Sequence, residues 1–138
     1  MIVYLETSVL LRSLLKQQNP LPNWGRWDKA YTSDLTRVEA FRTFDRLRVQ
    51  DKMNLEELAN SVQDFDKVLK YVDEIRLNSL ILRRASQAYP TVIGTLDALH
   101  LSSAILWQEH NQKEIVFLTH DDQLGRAALA IGMKSEGF

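Results

Sequence analysis

The chain opens on four apolar residues, Ile2-Val3-Tyr4-Leu5, stops at Glu6-Thr7-Ser8, and resumes as SVLLRSLLK with apolar side chains at Val9, Leu10, Leu14 and Leu15. A short continuous apolar run reads as a buried strand, and the spacing after it is close to helical. A strand therefore feeds a helix through an acid and two hydroxyls. QQNPLPNWGRW, with its two prolines and a glycine, reads as an irregular connection. KAYTS is a second strand, and Thr36 is the expected cap of a helix through RVEAFRTFDRLRV whose apolar stripe is Val38, Phe41, Phe44 and Leu47. A third helix spans NLEELANSVQDFDKVLKY, capped by Asn54 and burying Leu58, Val62, Phe65 and Leu69. VDEIRL reads as a short strand, NSLILRRASQAY as a helix ended by Pro90, and Thr95 as the cap of LDALHLSSAILWQEH. EIVFLT, β-branched and aromatic between polar neighbours, is a strand; DQLGRAALAIG follows as a helix and MKSEGF as a tail.

Strands alternating with helices predict an α/β fold with a central, mostly parallel sheet covered on both faces. With 138 residues the chain suits a single domain. Hydrophobic residues at 45% and charged residues at 25% are ordinary for a globular protein and exclude a disordered or fibrous one. The apolar runs are too short to cross a bilayer and no secretory signal stands at the N-terminus, so the expected location is cytoplasmic. Without cysteine there is no disulfide and no thiolate metal site, which leaves carboxylate, imidazole and water as metal ligands. A net charge of -1 argues against coating nucleic acid by bulk charge.

In sheets of this class, ligands bind beyond the carboxyl ends of the strands where strand order reverses. Glu6 follows the first strand and Asp121-Asp122 follow EIVFLT, so these acids belong on one rim. Glu39 and Asp97 sit early in helices. Each acid also has a structural explanation: a solvated strand end for Glu6, a capping box with Thr36 for Glu39, the helix macrodipole for Asp97, and a turn with a helix cap for Asp121 and Asp122.

Order and neighbourhood change that weighing. The strand ending in acid-Thr-Ser, the helix with RVEAF, then GTLDALHLSSAI, FLTHDDQLGRAA and the late glycine of AIGM together resemble the PIN-domain family of metal-dependent ribonucleases, in particular the small VapC toxins of toxin-antitoxin pairs. The resemblance spans nearly the whole chain, and TLDALHLSSA is its most specific segment. It implies a three-layer α/β/α fold with a sheet of four or five strands. It places the family's four acids on Glu6, Glu39, Asp97 and Asp121, with Asp122 as a further candidate, and its supporting hydroxyls on Thr7 or Ser8 and on Thr119. It implies Mg²⁺ or Mn²⁺ held by Glu6, Asp97 and Asp121 and, through water, by Glu39. The expected activity is endoribonucleolytic hydrolysis by a metal-activated water, and the expected partners are RNA, an antitoxin seated between the first helix and NLEELANSVQDF, and a second copy of the chain. Four gathered carboxylates need such a cation, because they otherwise raise one another's pKa values.

Glu6 departs from the family, which usually has Asp there; octahedral Mg²⁺ tolerates misplaced ligands poorly. A PIN-like RNA- or partner-binding module that has lost cleavage is therefore the alternative. A phosphate-transferring enzyme on a similar sheet fits less well, since its acid pair belongs near the first strand. Arg12, Lys16, Arg37, Arg42 and Arg126 are candidates for the RNA backbone or plain surface cations. Trp24 and Trp27 could stack on bases or receive a partner, though such aromatics more often anchor their loop to the core; His100 reads as making a structural hydrogen bond within the fold, and His110 and His120 as surface residues.

Overall fold

A computed structural model describes residues 1–138. Five strands, β1 (Ile2–Leu5), β2 (Lys29–Ser33), β3 (Asp73–Ile75), β4 (Val116–Leu118) and β5 (Ser135–Glu136), form one all-parallel sheet in the order β3-β2-β1-β4-β5. In the central strand Val3 lies opposite both Ala30 and Val116, and Tyr4 opposite Phe117. Six helices connect them: α1 (Thr7–Leu14), α2 (Leu35–Val49), α3 (Leu55–Leu69), α4 (Ser79–Ala85), α5 (Thr95–Asn111) and α6 (Asp122–Ala130).

The alternation of β1 and β4 divides the core in two. Tyr4 and Phe117, stacked with ring centroids 5.2 Å apart, pack with Leu101 and Ala104 of α5 and Leu124 and Ala127 of α6. Val3, Leu5, Val116 and Leu118 pack on the opposite face with Val9 and Leu10 of α1. Both faces of the sheet are thus buried, as parallel sheets require, and the expected three-layer α/β/α arrangement is present. A third cluster, Ala40, Phe44, Met53 and Phe65, fastens α2 to α3. Trp24 and Trp27, edge to face at 5.2 Å, pack half-buried against the second cluster and hold the irregular loop to the core. No helix is long and apolar enough to cross a membrane.

Several local expectations are corrected. Thr36 does not cap α2: the helix starts at Leu35, whose N–H donates to Ser33 Oγ at 3.1 Å, and Thr36 is buried among other hydroxyls. Thr95 does not cap α5 either; Gly94 is the cap and its carbonyl accepts from Ala98 N–H at 2.9 Å. Val38 is exposed, because α2 turns Ala40 and Phe44 inward. The fourth helix ends at Ala85, well before Pro90, where the Ser86 hydroxyl donates to the Leu82 carbonyl and takes up an end group of the helix. The C-terminal segment is more than a tail: Phe117 N–H donates to Lys134 O and Thr119 N–H to Glu136 O, which makes β5.

Gly137 follows β5 with φ +101°, a region L-residues rarely adopt, and an added Cβ would stand 2.8 Å from the Thr119 carbonyl oxygen. Gly132, at φ +80°, has open space around it. Gly137→Ala is therefore expected to lose about 1–3 kcal/mol of stability in urea unfolding, whereas Gly132→Ala costs only the backbone penalty of about 1 kcal/mol. Equal losses would show that the approach to Thr119 costs nothing.

Candidate active site

Strand order reverses between β1 and β4, whose carboxyl ends stand side by side; Glu6 N–H donates to Leu118 O at 3.0 Å. This is the crevice where an open α/β sheet binds its ligand. Glu6, only 7% exposed, caps α1. One of its carboxylate oxygens accepts from Ser8 N–H at 3.1 Å, and the other from the Ser8 hydroxyl and from Thr119 Oγ1, the latter at 2.9 Å. Thr119 in turn accepts from Asp121 N–H at 3.0 Å, and Ser8 Oγ from His120 N–H at 2.9 Å. Two hydroxyls thus tie the turn after β1 to the turn after β4.

Asp121 caps α6, its Oδ1 accepting from Leu124 N–H at 2.8 Å, while Oδ2 accepts nothing from the protein. Asp97, in the first turn of α5, is half-buried. Burial first, then the charges of Asp121 and Glu6, push its carboxyl above the ordinary carboxylate range against a hydrogen bond from Gly94. The charges of two other expected acids, Asp121 and Glu6, thus reach Asp97 at the switch point. The charge of Glu6 is also felt by the Tyr4 phenol, which burial above all holds well above its usual value.

Glu39 is placed differently. Its Oε1 accepts from His100 Nε2 at 2.5 Å and from Thr7 Oγ1 at 2.7 Å. Burial would raise its carboxyl, but the hydrogen bond and charge of His100 and the Thr7 hydroxyl outweigh it and hold Glu39 below its ordinary value. Of the two hydroxyls after β1, Thr7 therefore serves Glu39, while Ser8 serves Glu6 together with Thr119. Asp122 is exposed and pairs with Arg126 at 2.8 Å, and its charge is not among those raising Asp97.

His100 is fully buried and its other ring nitrogen, Nδ1, meets the Tyr4 hydroxyl at 2.8 Å. Beyond Thr7 the polar chain continues through Thr36 Oγ1 and Thr32 Oγ1, which donates to Leu5 O at 2.6 Å. The expectation of a structural hydrogen bond for His100 identified its class, but not Glu39 as its partner. The only sequence signal was its place one helical turn after Asp97. His110 is exposed, but His120 is half-buried. Its Nδ1 donates to Gly137 O, its Nε2 is buried without a partner, and burial lowers its pKa.

Of the expected cations, Arg37, Arg42 and Arg126 are paired with Asp66, Asp45 and Asp122. Arg12 and Lys16 on and after α1 have no carboxylate partner, and the charge of Arg12 reaches His120.

The acids are oxygen donors, supplied with hydroxyl supports and no thiolate, which suits a hard divalent cation. No three acidic or imidazole groups converge as a finished cage, because Glu6, Glu39 and Asp121 have each spent oxygens on nearby donors. Asp121 Oδ2 and Glu39 Oε2 remain uncommitted, and Asp97 carries excess negative field, so the donor set fits such an ion.

No curated protein matches the sequence. A chain in the crystal structure of VapBC2 from Rickettsia felis, bound to a DNA fragment of its promoter, matches with a TM-score of 0.67 over 99% of this chain and 98% of that one. At 16% identity that is a likeness of fold. The family model described as PIN domain matches residues 3–129, a span that contains β1 from Val3, β2 to β4 and all the acids of the switch point. PIN domains are generally nucleases, and on this match the chain belongs to the PIN-domain family.

Proposed function

We propose that the chain is a Mg²⁺- or Mn²⁺-dependent endoribonuclease of the VapC type, the toxin of a toxin-antitoxin pair. The observation that carries this reading is Asp97, placed by α5 beside the carboxyl ends of β1 and β4, where burial first and then the charges of Asp121 and Glu6 raise its carboxyl. Asp97, Asp121 and Glu6 would hold the ion, with Glu39 acting through a bound water. When bound, the ion supplies a more acidic water and offsets charge on the phosphoryl oxygens. Thr119 and Ser8 keep Glu6 and the Asp121 turn in place, and Glu39 Oε2 is available to orient a water toward the scissile phosphate. Arg12 and Lys16 provide unpaired charge for the RNA backbone.

The antitoxin is assigned to the groove of about 300 Å³ between the end of α1 and α3, lined by Leu14, Leu15, Met53 and Glu57. The VapBC2 structure is a precedent for such a complex in a protein of the same fold. A homodimer in the cytoplasm belongs to the same reading. A second reading, a binding module without cleavage, draws on Glu6, both of whose oxygens are already hydrogen-bonded.

Purified protein is expected to cleave RNA only with Mg²⁺ or Mn²⁺, and Asp97→Asn to slow cleavage about 100-fold or more. Glu6→Gln should do the same, while Glu6→Asp stays within about tenfold of wild type. Inert wild type with activity restored by Glu6→Asp would establish the second reading; inertness of every variant across metals and RNA pools would end the nuclease reading.

The raised pKa of Asp97 sets a separate stability test. Because the folded value exceeds the unfolded one, ionising Asp97 costs stability; the penalty is absent below the unfolded value and grows as pH rises to the folded one. In EDTA, Asp97→Asn is therefore expected to melt a few degrees higher than wild type at neutral pH, an advantage that disappears below about pH 4. Saturating Mn²⁺ should stabilise wild type by mass action, by about 2.7 kcal/mol at a hundredfold excess over Kd, and raise its melting point accordingly, with a far smaller rise for the variant. Identical melting and identical Mn²⁺ response would remove Asp97 from the site.

A further inference from the structure

We infer that His100 is a positioning residue for Glu39: held from behind by Tyr4, it commits one carboxylate oxygen of Glu39 and leaves the other as the single acceptor facing the site. The inference rests on the endoribonuclease reading for its use, and on the geometry for its existence. Glu39 Oε1 takes both protein donors, His100 Nε2 at 2.5 Å and Thr7 Oγ1 at 2.7 Å. Oε2 takes none, and the side chain is 20% exposed. A free glutamate would present either oxygen in many rotamers; two donors on one oxygen remove that freedom.

The proton inventory permits one direction only at the carboxylate. An ionised Glu39 accepts and cannot donate, so Nε2 carries the proton, whichever of Tyr4 Oη and Nδ1 holds the proton they share. Tyr4, in the central strand β1 that Glu6 follows, fixes the ring plane at 2.8 Å and is itself locked by its stack on Phe117 of β4. His100 stands one helical turn after Asp97 on α5. The imidazole thus sets Glu39, which belongs to α2, relative to Asp97 and to β1. A buried histidine needs a partner at each ring nitrogen in any role; what is particular here is that the acceptor at Nε2 is one of the site's acids.

The test compares His100→Gln, whose side-chain N–H can reach the Nε2 position, with His100→Leu, which fills the space without a donor, and with Tyr4→Phe, which removes only the phenolic oxygen. In the metal-free protein, ¹³C-labelled glutamate carboxyls are read by NMR, with Glu39 assigned by Glu39→Gln. The Glu39 resonance is expected to move toward that of exposed glutamates in His100→Leu, by a smaller amount in Tyr4→Phe, and to stay in His100→Gln. Mn²⁺ affinity measured by calorimetry should fall about 10–100-fold in His100→Leu and recover to within about threefold of wild type in His100→Gln. An unmoved Glu39 resonance in His100→Leu overturns the inference, as does equal loss of Mn²⁺ affinity in the Leu and Gln variants. If His100→Leu does not fold, Tyr4→Phe and His100→Gln decide by the same resonance. Should wild type neither bind Mn²⁺ nor cleave RNA while the resonance moves as expected, the endoribonuclease reading fails and the positioning role stands.

Discussion

The parallel pairing of β1 with β4 fixes everything else about the site. Because the chain leaves β1 toward β2 on one side and returns much later as β4 on the other, the two strands end together without any helix between their carboxyl ends. Leu5 opposite Leu118 sets the register, and the next residues out are Glu6 and Thr119. A slip of one residue would turn Tyr4 and Phe117 into the wrong face of the core, so hydrophobic packing on both faces dictates where the acids stand. Like charges crowded there are tolerated because hydroxyls and amide N–H groups solvate them: Ser8 and Thr119 for Glu6, Leu124 N–H for Asp121, Thr7 and His100 for Glu39. Asp97 receives least of this, and it is the acid whose carboxyl is driven up.

What the sequence carried of this depended on the range of the interaction. β1 was legible to the residue as a short apolar run bounded by polar residues, KAYTS as a segment rich in aromatic and β-branched residues between turn signals, and Asn54 as a cap because its bond to Glu57 N–H spans three residues. Thr36 and Thr95 misled for the same local reason. A threonine ahead of a helical pattern looks like a cap, and only the tertiary structure shows that Thr36 is buried among Thr7 and Thr32 and that Gly94 already fills the capping position of α5. β5 was hidden because Ser135–Glu136 has no strand pattern of its own and borrows its conformation from β4. At the site, the positions of the acids follow from strand ends and helix starts and could be read; their partners could not. Tyr4 and His100 are 96 residues apart, and no spacing rule joins them.

The extra methylene of Glu6 is best understood through the donors it reaches. Its two oxygens accept three hydrogen bonds, from Ser8 N–H, the Ser8 hydroxyl and Thr119, and hydrogen bonds to a charged group contribute roughly 1.5–3 kcal/mol each. An incoming cation would have to displace at least part of that, whereas Asp121 Oδ2 and Glu39 Oε2 have no protein donor to give up. In the proposed centre the four acids are therefore unequal. Asp97 and Asp121 are ready to bind directly, Glu39 presents one aimed oxygen, and Glu6 supplies charge while tying the β1–α1 turn to the β4–α6 turn. On this division of labour, Glu6 would join Asp97 and Asp121 at the ion only by giving up part of the hydrogen bonding that ties the β1–α1 turn to the β4–α6 turn.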